Sequence, residues 1–277
     1  MILHYFRTSS PHTNNSPTYT TFNMVEASEK KVRRPDGRTG GGSLRPLAAE
    51  VSCLKRADGS AKFSSGSTQV LAAVYGPAAP RVPSRERVSE ASVGVVFKFG
   101  TKAASTADNT SNTHPGYGAN ERELERFIGD SLMACIAIDQ YPRTVIEVII
   151  QVIKADGSLV ATALNAATLA LLDAGIQMKS LPIATTCLVP TNGDTTKEFQ
   201  FDPTAEEESS NEYSAIVLST DSVRDGVIAS ITFGAFQLDS FLSCVEGAKR
   251  ASKAVVAFMR IAIEQKVNRE AKTLWSV

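Results

Sequence analysis

The chain has 277 residues, 43% of them hydrophobic, enough for one large core or two small ones. Its 29 basic and 29 acidic residues give a formal net charge of +0, which excludes nucleic-acid binding by bulk charge and leaves only local contacts or contacts completed by partner chains. No apolar run is long and charge-free enough to span a membrane as a helix.

Residues 1–32 are rich in Ser, Thr, Asn and Pro with little periodicity, and predict a disordered extension. Their first 23 carry one basic residue, Arg7, and no acidic one. That faintly resembles a transit peptide, but a disordered extension, or Met24 as the true initiator, is the preferred expectation. Residues 33–277 then form the body. Strands are expected at about 44–56, 60–66 and 68–76, with Asp58-Gly59 as a tight-turn signal. Val70 to Tyr75 is an almost continuous apolar run, as in a strand covered on both faces. Arg81-Val-Pro-Ser-Arg-Glu-Arg87 is a basic loop, Ala91 to Phe99 alternates as a strand, and 100–118 is a long polar loop.

Asn120 is expected to cap a helix whose inner face is Leu124, Phe127, Ile128, Leu132, Cys135 and Ile136. A strand at 143–153 follows, then a Lys154-Ala-Asp-Gly157 turn and a helix apolar all round, which marks a core element. Gly175 sits at its C-cap. Strands are expected near 182–189, 198–202, 213–219 and 227–235. A long final helix is capped by Asp239, with Phe241, Leu242, Val245, Ala248, Val255, Met259, Ala262 and Val267 inward. Hairpin-linked strands with helices on the sheet faces make this an α+β domain.

The four cysteines, Cys53, Cys135, Cys187 and Cys244, are isolated in or near apolar runs. They read as buried free thiols, not zinc ligands. His114 is the one histidine outside the tail and lies in a turn-rich loop, so a histidine-based triad is excluded.

Arg34-Pro-Asp-Gly-Arg38, Leu44-Arg-Pro46, the strand pair from Arg56 to Pro77 and the block from Lys154 to Gly175 resemble the RNase PH family. That family contains phosphorolytic ribonucleases and the ring subunits of the RNA exosome. The resemblance runs from Pro35 to about Lys272 and implies a single RNase PH-like domain of the ribosomal protein S5 domain 2-like fold.

Phosphorolysis needs phosphate held by arginine and helix-start amides, and a divalent cation held by carboxylates. Active family members carry Gly-Thr-Arg after the Ala-Asp-Gly turn, where this chain has Ser158, Leu159 and Val160. The family's later metal-site aspartate aligns with Ser214, while Asp202-Pro203 remains. The expectation is therefore a non-catalytic chain, with Val160 and Ser214 as degenerate positions, Asp202 as a remnant, and no metal or cofactor. The alternative is an active phosphate-dependent 3'-to-5' exoribonuclease. Glu206 to Glu208 reads as a solvated acidic loop. Arg122 and Arg126 are expected to pair with Glu121, Glu123 or Glu125.

The family implies a six-membered ring with RNA threaded through its pore. The expected partners are other RNase PH-like ring subunits, nearest the type known as processing protein forty-three, with S1/KH cap subunits and single-stranded RNA. Arg81, Arg85 and Arg87 then lie on the RNA path. The resemblance also implies residence in nucleus, nucleolus and cytoplasm, and work in rRNA maturation and mRNA turnover.

Overall fold

The computed structural model describes residues 18–20, 34–80, 86–99, 121–191 and 198–275. Among them, one sheet has six strands in the order β1-β2-β3-β4-β6-β5. These are β1 (Thr18–Thr20), β2 (Leu47–Val51), β3 (Gly59–Ser65), β4 (Thr68–Ala78), β5 (Ser92–Phe99) and β6 (Val145–Lys154). All neighbours are antiparallel except β5 and β6. Helix α1 (Glu121–Cys135) connects that parallel pair and packs on β5.

The second sheet has the order β10-β9-β7-β8, from β7 (Pro182–Pro190), β8 (Gln200–Phe201), β9 (Tyr213–Asp221) and β10 (Val227–Phe233). Helix α2 (Leu159–Asp173) lies between the sheets, against β3 and β4 on one side and β7 on the other. It is buried from Leu159 through Leu171, as its all-round apolar sequence requires. It ends as expected. Gly175 adopts φ 69°, its amide donates to the Leu172 carbonyl, and Ile176 donates to Leu171. This is the paired closure of a left-handed C-cap.

Helix α4 (Leu238–Trp275) covers the outer side of β7 and reaches β2 and β9. Its buried stripe is Cys244, Ala248, Ala251, Val255, Phe258, Met259 and Ala262. Phe258 meets Phe63 of β3 edge-to-face at 5.9 Å. Leu242 and Val267, expected inward, are 55% and 54% exposed. At 3.6 residues per turn, Leu242, two residues before buried Cys244, and Val267, five after buried Ala262, point away from the buried stripe. Every residue of β7 is buried because α2 and α4 cover its two faces.

Two further expectations shift. Asp58-Gly59 is not a hairpin turn. Gly59 opens β3, and the Asp58 carboxylate accepts the Gly76 amide at 2.7 Å, pinning the connection to β4. Thr18–Thr20 pairs antiparallel with Leu47–Ala49, so this short piece of the extension, expected to be disordered, extends the sheet edge. The expected cap Asn120 lies outside the described residues, as do Arg81, Arg85 and His114.

Candidate functional site

The Ala155-Asp-Gly-Ser158 turn delivers the start of α2 to the segment 201–208. Gly157 has φ 74°, and a Cβ there would stand 2.4 Å from the Pro203 carbonyl, so the close approach requires glycine. Ser158 follows in the left-handed region at φ 50°. Its amide donates to Glu208 Oε1 at 2.7 Å. A carboxylate of the chain itself therefore uses one of the amides at this helix start, where a negative charge is favoured.

Val160 is fully buried in the main hydrophobic cluster. Ser214, at the start of β9, is 2% exposed. Its hydroxyl donates to the Ala235 carbonyl at 2.7 Å and stands 3.4 Å from Thr191 Oγ1.

Asp202 is buried and sits at φ 50°. Its Oδ1 accepts from Arg45 Nη2 at 2.7 Å. Its Oδ2 accepts the Arg45 amide at 3.0 Å and the Ser65 hydroxyl at 2.6 Å. Arg45 also donates to the carbonyls of Asp156 and Gly157, so one guanidinium ties Asp202 to the turn before α2. Burial alone would push the Asp202 carboxyl upward, but Arg45 beside it, with hydrogen bonds from Arg45 and Ser65, holds its pKa at about 2. Both oxygens of this candidate remnant are thus engaged in structure.

Glu207 and Glu208 are 6% and 4% exposed, which corrects the expectation of a solvated acidic loop; of that run, Glu206 is exposed. The physical reason is pairing. Arg34 forks onto Glu207, with Nε to Oε1 and Nη2 to Oε2 both at 2.6 Å, and its Nη1 donates to the Phe201 carbonyl at 2.8 Å. Glu207 also closes a capping box with Thr204 on the four-residue helix α3 (Ala205–Glu208). Burial raises the Glu207 carboxyl, and the hydrogen bonds from Arg34 and Thr204 outweigh it, leaving it below the usual range. Arg38 adds bonds to the carbonyls of Ser43 and Asp202. These arginine clamps were not assigned from sequence. The available signal was Arg34 and Arg45 standing in turn-rich segments that the resemblance had already picked out.

Arg87 is exposed and pairs with Glu90 at 2.6 Å. Its carbonyl accepts the Arg143 amide. Arg122 and Arg126 are also exposed. Arg126 pairs with Asp130 at 3.7 Å instead of with a nearby glutamate. Glu121 faces Lys98, and Glu125 accepts the Phe97 amide. Both glutamates turn to β5, which α1 covers. Among the described residues no three metal-ligating side chains come together, and the four cysteines are free thiols, three of them buried.

Residues 43–177 match the 3' exoribonuclease family, domain 1, of RNase PH. The exosome complex exonuclease RRP46 homolog of Arabidopsis thaliana is 34% identical over 251 residues, 85% of this chain and 97% of that protein. The exosome complex component Rrp41 of Thermococcus onnurineus is 31% identical over 238 residues, 86% of this chain and 91% of that protein. The crystal structure of rice Rrp46 superposes with a TM-score of 0.69 at 34% identity, covering 82% of this chain and 98% of that one. Within the block behind the resemblance, Leu164-Asn-Ala-Ala and Leu172-Asp-Ala-Gly175 look most like ribosomal RNA-processing protein forty-six, exosome component five, in agreement with these relatives. With the two-sheet α+β fold and the similarity running over most of the sequence, the chain belongs to the RNase PH family of 3' exoribonucleases.

Proposed function

We propose that this chain is a non-catalytic RNase PH-like subunit of an exosome core ring, which scaffolds the complex and lines the RNA path for 3'-to-5' RNA processing and degradation. The observation that carries this reading is Val160. It occupies the position of the family's phosphate-binding arginine, and its side chain is a fully buried part of the hydrophobic cluster. Valine donates no hydrogen bond to an anion. Ser214 supports the same reading, because its hydroxyl is spent on the Ala235 carbonyl and carries no charge for magnesium. Asp202 supports it too, since Arg45 and Ser65 occupy its oxygens.

The ring neighbours are RNase PH-like subunits, nearest the processing protein forty-three type, with S1/KH caps above and single-stranded RNA through the pore. Processing of rRNA and turnover of mRNA place such a complex in nucleolus, nucleus and cytoplasm. Catalysis then belongs to other subunits.

The second reading is an active phosphate-dependent exoribonuclease. The Arabidopsis relative, named as an exosome complex exonuclease, favours it. Purified protein incubated with single-stranded RNA, magnesium and phosphate decides between the two. The expected result is no shortening of the RNA. Phosphate-dependent release of nucleoside diphosphates that falls when exposed Arg122 is changed to Ala would overturn the proposal.

A further inference from the structure

A cavity of about 20 Å³ lies where the two sheets meet under the first turn of α2. Its walls include Phe63 of β3, Ser158 and Thr162 at the start of α2, Thr185 and Thr186 of β7, and Asp202. Three of these residues carry hydroxyls with no hydrogen-bond partner: Ser158, Thr185 and Thr186. They are 1%, 5% and 1% exposed, so bulk water does not reach them.

Buried hydroxyls without partners are costly, and the Ser158 hydroxyl, with one from the adjacent Thr185 and Thr186 in the wall of the same small cavity, points to an occupant. The volume holds about one water molecule, which needs roughly 10–15 Å³ by this measure. An apolar occupant is disfavoured because it would leave the hydroxyls unpaired. A cation is disfavoured because the one carboxylate in the wall, Asp202, already faces the Arg45 guanidinium and the Ser65 hydroxyl. Thr162 can act only as an acceptor here, since its hydroxyl proton already goes to the Ser158 carbonyl at 2.8 Å.

We infer that this cavity is a binding site for a single buried water, which bridges the Ser158 hydroxyl to β7. Successive residues of a strand project from opposite faces, so one of Thr185 and Thr186 supplies the hydroxyl on β7. The bridge ties the left-handed turn at Ser158 to the second sheet. It lies behind the same Ser158 whose amide holds Glu208, so the turn is braced from both sides.

Two measurements test this. A high-resolution crystal structure should show one ordered water within hydrogen-bonding distance of Ser158 Oγ and of one of the two threonine hydroxyls. Melting temperatures of Thr185→Val and Thr186→Val give the second test by their sign, because valine keeps the shape and removes the hydroxyl. Where the hydroxyl holds a bridging water, its removal lowers the melting temperature by about 2–6 °C. Where the hydroxyl is dry and unpaired, removal raises it. The inference requires the density and a decrease in one of the two variants. Lack of density, or an increase in both variants, overturns it.

Discussion

Arg45 and Asp202 stand 157 positions apart and meet through both oxygens of one carboxylate. The guanidinium donates to Oδ1 at 2.7 Å, and the Arg45 backbone amide donates to Oδ2 at 3.0 Å. Arg45 precedes β2 in the first sheet, and Asp202 follows β8 in the second. A buried ion pair of this kind holds the sheets in register at the point where α2 begins. Its removal leaves an uncompensated charge, which is the expensive way to break a buried pair.

Asp202→Asn should therefore destabilise strongly, by about 3–5 kcal/mol, and lower the melting temperature by on the order of 10 °C. The pH dependence has a defined sign. The folded pKa of about 2 lies below the unfolded value of about 3.9. The corresponding stability, about 2–3 kcal/mol, is fully present above pH 4 and is lost as pH falls towards 2. Thermal melts from pH 7 to pH 2 should show a steeper acid loss in wild type than in Asp202→Asn. Parallel curves would mean that Asp202 is not ionised in the fold.

Arg34 and Glu207 form the second clamp, and its strength lies in the fork. Arg34→Lys keeps the charge but loses one of the two parallel bonds and the bond to the Phe201 carbonyl. A loss of about 1–3 kcal/mol is expected in urea unfolding. Glu207→Gln should cost less in the Arg34→Lys background than alone, because the two side chains share one interaction. Additive effects would show that the fork carries no coupling energy.

How much of this was legible follows from what each signal depends on. The core helix α2 was readable from 159 to Gly175, because a helix buried all round writes its burial into every residue. β7 was readable for the same reason. The inner face of α1 was readable because period 3.6 points at one surface. The ends of α4 were not, since Leu242 and Val267 stand off the period of the buried stripe, two residues before Cys244 and five after Ala262. The burial of Glu207 and Glu208 was also hidden. A run of glutamates reads as solvated until a partner is known, and their partners, Arg34 and the Ser158 amide, lie 173 and 50 positions away. The candidate site positions Val160 and Ser214 came from the family resemblance. What those side chains do instead, core packing and a bond to Ala235, is tertiary information.

The N-terminal segment makes a small contribution by this account. β1 is three residues long, and its register pairs it with the exposed edge of β2. A few ladder bonds at a sheet edge are offset by the entropy of ordering the chain that makes them. A chain starting at Met24, which lacks β1, should melt within about 2 °C of full length. A drop several times larger would show that residues 1–23 hold the body together by more than this short edge pairing.

The last prediction concerns the proposed RNA path. Arg81, Arg85 and Arg87 follow β4 in the sequence, and the proposal gives them phosphate contact without base reading, because a threaded strand must slide. Arg87 is exposed and held by Glu90. An exposed ion pair of this kind is worth less than about 1 kcal/mol, so RNA phosphate can take the guanidinium at little cost. Replacing all three arginines with Ala should leave folding and ring assembly intact. Binding of long single-stranded RNA by the assembled complex should weaken, and its salt dependence should flatten as phosphate contacts are lost. Sequence preference should stay the same. The isolated chain should show little of this effect, because a net charge of +0 gives it no broad attraction to RNA. Crosslinking of RNA to wild-type and triple-Ala complexes is the deciding measurement. Reduced crosslinking to this subunit supports the path, and equal crosslinking in both would show that the three arginines do not touch RNA and that Arg87 serves only Glu90.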